Sequence, residues 1–123
     1  MKLLIVDDNQ RFRTFLRNLL TDIATDIEES DNGEEAVAAY GQTRPDIVLM
    51  DVRMGRMDGL TATHQIIAQD QSAKVIIVTS YNDEALRRLA SEAGACGYAV
   101  KDDLQSLADL LRAAKSQLPK NHP

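Results

Sequence analysis

Four short apolar runs in the chain each lead into a polar residue that can take part in chemistry. Asp7 and Asp8 follow LLIV, Asp51 follows IVLM, Thr79 closes VIIVT, and Lys101 follows CGYAV. A carboxylate can act as a nucleophile, and clustered carboxylates supply the oxygen ligands that Mg2+ prefers. An ammonium and a hydroxyl stabilise anionic oxygens. Together these groups match what phosphoryl transfer requires, and a carboxylate nucleophile would yield an acyl phosphate.

These residues can act together only if the elements that carry them end at one place. Five apolar runs, at residues 3–6, 23–28, 47–50, 75–78 and 96–100, alternate with five segments of helical periodicity. The second run is the weakest. Helical spacing of apolar residues links Phe12, Phe15 and Ile23 in the first helical segment, and Leu86 and Leu89 in the fourth. Near-continuous apolar runs are typical of strands covered on both faces by helices. The pattern therefore predicts an alternating (βα)5 chain.

Alternating βα units with right-handed crossovers form a doubly wound parallel α/β sheet. Five strands favour the flavodoxin-like order 2-1-3-4-5, in which the functional crevice lies beyond the carboxyl ends of the strands. Strands 1 and 3 are then neighbours about 5 Å apart, so Asp8 and Asp51 should lie close together. Carboxylates this close repel each other unless a cation lies among them. The sequence therefore predicts a Mg2+ site at this edge.

Composition limits the class of protein further. The 123 residues are sized for one domain, and the net charge of -5 argues against this segment binding nucleic acid by itself, so DNA contact would need a separate output domain. No apolar run reaches the roughly 20 residues that cross a bilayer, and MKLLIVDD turns acidic too early for a signal peptide, which predicts a cytoplasmic protein without membrane contact. Cys96 is expected to be a small core residue beginning a buried strand.

Six motifs in order resemble the response-regulator receiver domain of two-component signalling, over residues 2 to 118. They are IVDDN at 5–9, DNGEEA at 31–36, DIVLMDVRM at 46–54, MDG at 57–59, VTS at 78–80 and GACGYAVKD at 94–102. We expect a receiver domain over residues 1–118, with residues 119–123 forming a tail or the start of a linker.

The resemblance implies a role for each residue at the acidic edge. Asp51 would accept a phosphoryl group from a sensor histidine kinase or a phosphotransfer protein. Asp8 and Asp51 would ligate Mg2+ together with the backbone carbonyl of Arg53, and Asp7 would assist through water. Lys101 would pair with the acceptor carboxylate and then with a phosphoryl oxygen. Such a domain is a signalling switch and not an enzyme, because its own chemistry is limited to accepting the group and slowly hydrolysing it.

The resemblance also implies how the signal is read out. Thr79 would be the switch hydroxyl and Tyr98 the switch aromatic, and phosphorylation would alter the surface formed by helix 4, strand 5 and helix 5. Activation could produce a homodimer. The segment GYxxKD is similar to receivers of the NarL/FixJ type, which are joined to a helix-turn-helix output domain, and this favours a role in transcription.

Two departures from the family pattern affect the loops around the site. Gly55 stands where many receivers have a proline, which loosens the loop after Asp51. Asp102 follows the lysine where a proline often forms a cis peptide, so a trans bond is expected there.

The same residues are compatible with other functions. The chain could be a stand-alone receiver that acts by protein-protein interaction, or a receiver-like scaffold that is never phosphorylated. A Mg2+-dependent phosphohydrolase acting through an aspartyl phosphate is also conceivable, although Arg53 stands where a second acid would be expected. Taken alone, Asp7 and Asp8 could be only a strand-end turn and a helix cap.

Overall fold

The computed structural model describes residues 1–118, in which five parallel strands form a sheet in the order β2-β1-β3-β4-β5. The strands are β1 Lys2–Val6, β2 Asp26–Ser30, β3 Ile47–Met50, β4 Val75–Thr79 and β5 Gly97–Val100. The helices are α1 Gln10–Leu19, α2 Gly33–Thr43, α3 Gly59–Gln69, α4 Glu84–Ala93 and α5 Leu104–Ser116. The predicted flavodoxin-like fold and strand order are confirmed. The tail predicted at residues 119–123 lies outside the described residues.

Helices cover the sheet on both faces because successive strand side chains point to opposite sides. In β1, Leu3 and Ile5 pack in one buried cluster with residues of α1 and α5. Leu4 and Val6 pack in a second cluster with residues of α2, α3 and α4. The continuous apolar runs of the central strands are therefore explained by burial on both faces.

The second strand begins later than the sequence predicted. Ile23 and Ala24 are buried, but they lie in the turn between α1 and β2 and not in a strand. β2 is an edge strand of sequence DIEES, and its glutamates form ion pairs with Lys2 and with arginines of α1. A strand at the edge of the sheet can carry this many charges, which is why hydrophobicity located it poorly.

Several local predictions also need correction. Phe15 is 54% exposed and Leu89 is 51% exposed, although both lie on apolar helix stripes. Cys96 is exposed and not a core residue, because it precedes the edge strand β5.

Asparagine side chains cap the two helices nearest the acidic residues. Asn9 caps α1 by accepting from the N–H of Phe12, and Asn32 caps α2 by accepting from the N–H of Glu35. Each cap satisfies a backbone donor that the helix leaves free. In residues 1–118, no helix has the length and apolar character needed to cross a membrane.

Candidate functional site

The three aspartates predicted to bind a metal converge at the carboxyl end of the sheet. The β1–β3 ladder pairs Val6 with Met50, and the N–H of Asp51 donates to the Val6 carbonyl at 2.9 Å. Asp7 and Asp8 leave the neighbouring strand at the same level. One carboxylate oxygen from each of the three lies within 4.8 Å of the others. Asp7 and Asp51 are buried whereas Asp8 is exposed, so the cluster opens to solvent on one side.

Lys101, which directly follows the edge strand β5, reaches the same cluster with its side chain. Its Nζ donates to Asp7 Oδ2 at 2.7 Å and lies 3.8 Å from Asp51 Oδ2. The backbone N–H of Lys101 donates to the Thr79 carbonyl at 2.7 Å, which fixes the residue just beyond β5. The ring of Phe12 lies 4.2 Å from the ammonium, in cation–π range. Lys101 is therefore paired most closely with Asp7 and also lies close to Asp51.

The charges of this cluster are unbalanced. Burial, together with the neighbouring charges of Asp7 and Asp8, raises the pKa of Asp51 from its ordinary 3.8 to about 6. The ammonium of Lys101 and the N–H of Val52 lower this pKa but do not offset the rise. One cation thus faces three carboxylates, so a divalent cation bound at these oxygens would relieve the repulsion.

The loop after Asp51 is held by glycines at close backbone contacts. A Cβ added at Gly59 would lie 1.8 Å from the Asp51 carbonyl oxygen, and the N–H of Gly59 donates to the Val52 carbonyl at 2.8 Å. A Cβ at Gly33 would lie 2.4 Å from the Met57 carbonyl oxygen. By contrast, a Cβ at Gly55 would have no neighbour within 4 Å. The loop is therefore anchored at its ends, and the position that departs from the family pattern has space around it.

The predicted switch residues are joined through the segment between β4 and α4. Thr79 is buried, and its hydroxyl accepts from the N–H of Tyr81 at 3.4 Å. The hydroxyl of Tyr98 donates to the Tyr81 carbonyl at 2.5 Å. The guanidinium of Arg87 lies 4.4 Å from the centre of the Tyr98 ring. Tyr81 thus contacts both predicted switch residues through its backbone, one through its N–H and the other through its carbonyl.

Arg53, whose carbonyl was predicted to be a metal ligand, is exposed two residues after Asp51. Its guanidinium stacks 4.3 Å from the centre of the Tyr81 ring. Within residues 1–118, no protein donor reaches its carbonyl oxygen. The peptide bond between Lys101 and Asp102 is trans, as expected from the missing proline.

Sequence reasoning missed three residues that surround the cluster, namely Phe12, Arg13 and Gly59. Phe12 was assigned only to an apolar helix stripe, and its contact with Lys101 depends on where β5 ends. Gly59 was noted within MDG, but its close approach to Asp51 is a tertiary contact. Arg13 had no visible signal, because its acidic partner Glu29 lies on the strand that the sequence misplaced.

Comparison with known proteins identifies the family of the chain. The family described as response regulator receiver domain matches residues 3–112, and the chain belongs to that family. The chain is 42% identical over 102 residues to the chemotaxis protein CheY of Listeria monocytogenes, a match covering 82% of this chain and 86% of that protein. It is 36% identical over 124 residues to the transcriptional regulatory protein LiaR of Bacillus subtilis, covering 98% of this chain but only 58% of LiaR.

A solved structure has the same fold and shows a related protein with ligands. The CheX-CheY-BeF3-Mg+2 complex from Borrelia burgdorferi superposes with a TM-score of 0.76 and 32% identity, covering 92% of this chain and 88% of that one. Receiver domains are signalling switches that interact with histidine kinases or phosphotransfer proteins and bind Mg2+ at an acidic pocket. This chain has an acidic cluster, formed by Asp7, Asp8 and Asp51.

Proposed function

We propose that this chain is a cytoplasmic, phosphorylation-activated receiver in which Asp51 accepts a phosphoryl group from a sensor histidine kinase or a phosphotransfer protein. The observation that carries the proposal is the convergence of three carboxylates and the Lys101 ammonium around one buried aspartate. An Asp51 carboxylate oxygen attacks phosphorus, the bond from phosphorus to the donor imidazole breaks with its electron pair going to nitrogen, and that nitrogen takes a proton from water. The product is an acyl phosphate on Asp51.

The residues around Asp51 each have a defined task in this reaction. Asp8, Asp51 and the Arg53 carbonyl would hold Mg2+, and Asp7 would support it through water. Bound there, the metal supplies positive charge for the phosphoryl oxygens. Lys101 lies 3.8 Å from Asp51 and provides a second positive charge on the side facing β5. The Thr79 hydroxyl donates to a phosphoryl oxygen once the group is in place.

We expect Asp51→Asn to lose nearly all of the phosphorylation seen in wild type. Wild-type protein incubated with Mg2+ and a small phosphodonor such as acetyl phosphate should gain the mass of one phosphoryl group in an intact-mass measurement. Asp51→Asn should gain it at least roughly a hundredfold more slowly, because the attacking oxygen is lost. Asp58→Asn, at the cap of α3, is the matched control and should be phosphorylated like wild type. An equal mass gain in wild type and Asp51→Asn would contradict the assignment.

The output is proposed to be a change in the surface formed by α4, β5 and α5 that promotes homodimerisation. Sedimentation velocity with Mg2+ and beryllofluoride, a phosphoryl mimic, should then show a dimer. Tyr98→Phe removes the hydrogen bond to Tyr81, worth about 1 kcal/mol, so it should shift the dimer to several-fold higher protein concentration. Phosphorylation of Tyr98→Phe should be unchanged. A wild-type sedimentation profile that the mimic leaves unaltered would rule out dimerisation.

The relatives support two alternative ways in which the phosphorylated receiver could pass on its signal. CheY of Listeria matches this chain over most of its own length, which supports a single-domain receiver acting by protein-protein interaction. LiaR is named a transcriptional regulator and is almost twice as long as the match, which supports a separate DNA-binding output domain. Both alternatives share the Asp51 chemistry. A phosphohydrolase function is disfavoured because Arg53 replaces a second acid near the nucleophile, and multiple turnover of a phosphoester would revive it.

A further inference from the structure

The backbone that carries Asp7 and Asp8 is held by an arginine of the first turn of α1. Arg13 Nη1 donates to the Asp7 carbonyl oxygen at 2.6 Å. The N–H of Asp7 donates to the Ser30 carbonyl of β2 at 3.1 Å, so the residue is fixed on both sides. Because the peptide unit is planar, fixing the Asp7 carbonyl also fixes the backbone nitrogen of Asp8.

Asp8 depends on this backbone contact more than its two partners in the cluster do. Asp7 accepts from Lys101 and from the N–H of Asn9, and Asp51 accepts from the N–H of Val52. Within residues 1–118, the exposed Asp8 carboxylate has no hydrogen bond or ion pair to the protein. Its place beside Asp51 therefore follows from the course of its backbone.

Arg13 is itself oriented by β2. Its Nε donates to Glu29 Oε1 at 2.9 Å, and its side chain is only 14% exposed. Arg17 donates to the other oxygen of Glu29 at 2.8 Å. Burial opposes ionisation of Glu29, but the hydrogen bonds from Arg17 and Arg13 outweigh it and lower its pKa. The guanidinium of Arg13 thus joins a charged carboxylate on one side to the Asp7 carbonyl on the other.

We propose that Arg13 is a positioning residue for the metal site, holding the Asp7 carbonyl and with it the backbone that places Asp8 beside Asp51. The inference rests on the proposed function, because it concerns Mg2+ binding at these aspartates. Arg13 contacts neither the metal nor the phosphoryl group, and it acts through Asp7 and Asp8.

The chain offers a matched control in Arg17. Arg17 pairs with the same Glu29, but its remaining contact is Nη2 to the Ile27 carbonyl at 2.9 Å, away from the cluster. Arg13→Gln and Arg17→Gln each remove one positive charge and one bond to Glu29. Only Arg13→Gln also releases the Asp7 carbonyl.

The test measures the Mg2+ dissociation constant by titration calorimetry on the full chain, without a phosphodonor. We expect Arg13→Gln to weaken Mg2+ binding about five- to tenfold and Arg17→Gln to change it less than about twofold. Charge alone predicts the opposite sign, because removing a cation beside three carboxylates would tighten metal binding. Phosphorylation of Arg13→Gln should return to the wild-type maximum at saturating Mg2+, since the loss lies in metal affinity.

Arg13→Lys provides a second variant in which the charge is kept and the two-sided bridge is lost. It should also weaken Mg2+ binding, and it replaces Arg13→Gln if thermal unfolding finds that variant unfolded. Mg2+ affinity of both Arg13 variants equal to or tighter than wild type, or an equal weakening in Arg17→Gln, would overturn the inference. Absence of Mg2+ binding in wild type would instead overturn the proposed metal site, and the inference with it.

Discussion

Asp51→Asn should raise the thermal stability of the protein when no divalent cation is present. Asparagine keeps the shape of the side chain and an oxygen that can accept from the N–H of Val52. It removes a buried charge that faces Asp7 and Asp8. We expect a gain of about 1 to 2 kcal/mol, because solvent reaches part of the cluster and screens the repulsion. For a domain of this size the melting temperature should rise by roughly 4 to 8 °C.

The stability that Asp51→Asn gains over wild type should increase as the pH rises. Folding raises the pKa of Asp51 from the ordinary 3.8 to about 6. Between these values the folded state binds more protons than the unfolded state, so this residue makes wild type less stable as the pH rises. The penalty is complete above about pH 6 and absent below about pH 4. The stability difference between variant and wild type should therefore be larger at pH 7.5 than at pH 4.

Mg2+ should narrow the difference in melting temperature between wild type and Asp51→Asn, or reverse its sign. A ligand that binds only the folded state adds stability that grows with its concentration. Wild type should therefore melt higher as Mg2+ is added, whereas Asp51→Asn should respond weakly. Asp22→Asn, an exposed carboxylate beside Arg112 at the other end of α1, is the control and should change stability by less than about 0.5 kcal/mol. A lower melting temperature for Asp51→Asn without Mg2+ would contradict the charge imbalance described for the cluster.

Gly59→Ala should strongly destabilise the protein. The added methyl group would lie 1.8 Å from the Asp51 carbonyl oxygen and 2.8 Å from its carbonyl carbon, so the backbone must move. The hydrogen bond from the N–H of Gly59 to the Val52 carbonyl would be strained as well. We expect a loss of about 3 kcal/mol or more in the free energy of unfolding, measured by urea denaturation.

Gly55→Ala is the matched control for this prediction. Gly55 lies in the same loop, its added Cβ would meet nothing within 4 Å, and its φ is not positive. Alanine there restricts the unfolded chain and should be neutral or stabilise by up to about 1 kcal/mol. If the two variants lost equal stability, the close contact between α3 and Asp51 would not be the cause.

Helical periodicity predicts helices, but it does not predict which of their apolar residues are buried. The spacing of Phe15 and Leu89 correctly indicated helices with an apolar face. It could not indicate that no other element covers these two positions, because burial depends on the neighbours that tertiary packing supplies. The same holds for Cys96, since β5 lies at the edge of the sheet only by virtue of the strand order.

By itself, the sequence determined the fold and the edge of the sheet at which the carboxylates and the lysine meet. Apolar runs alternating with helical segments define parallel strands, and the carboxyl ends of parallel strands meet at one edge, so Asp7, Asp8, Asp51 and Lys101 had to converge. Only the tertiary structure decided how these groups are held. The closest partner of Lys101 is Asp7, Gly59 packs on the Asp51 carbonyl, and Arg13 joins Glu29 to the Asp7 carbonyl. These contacts join residues of different elements, and they depend on the angles at which the elements pack. The periodicity of strands and helices carries no information about such contacts or packing angles.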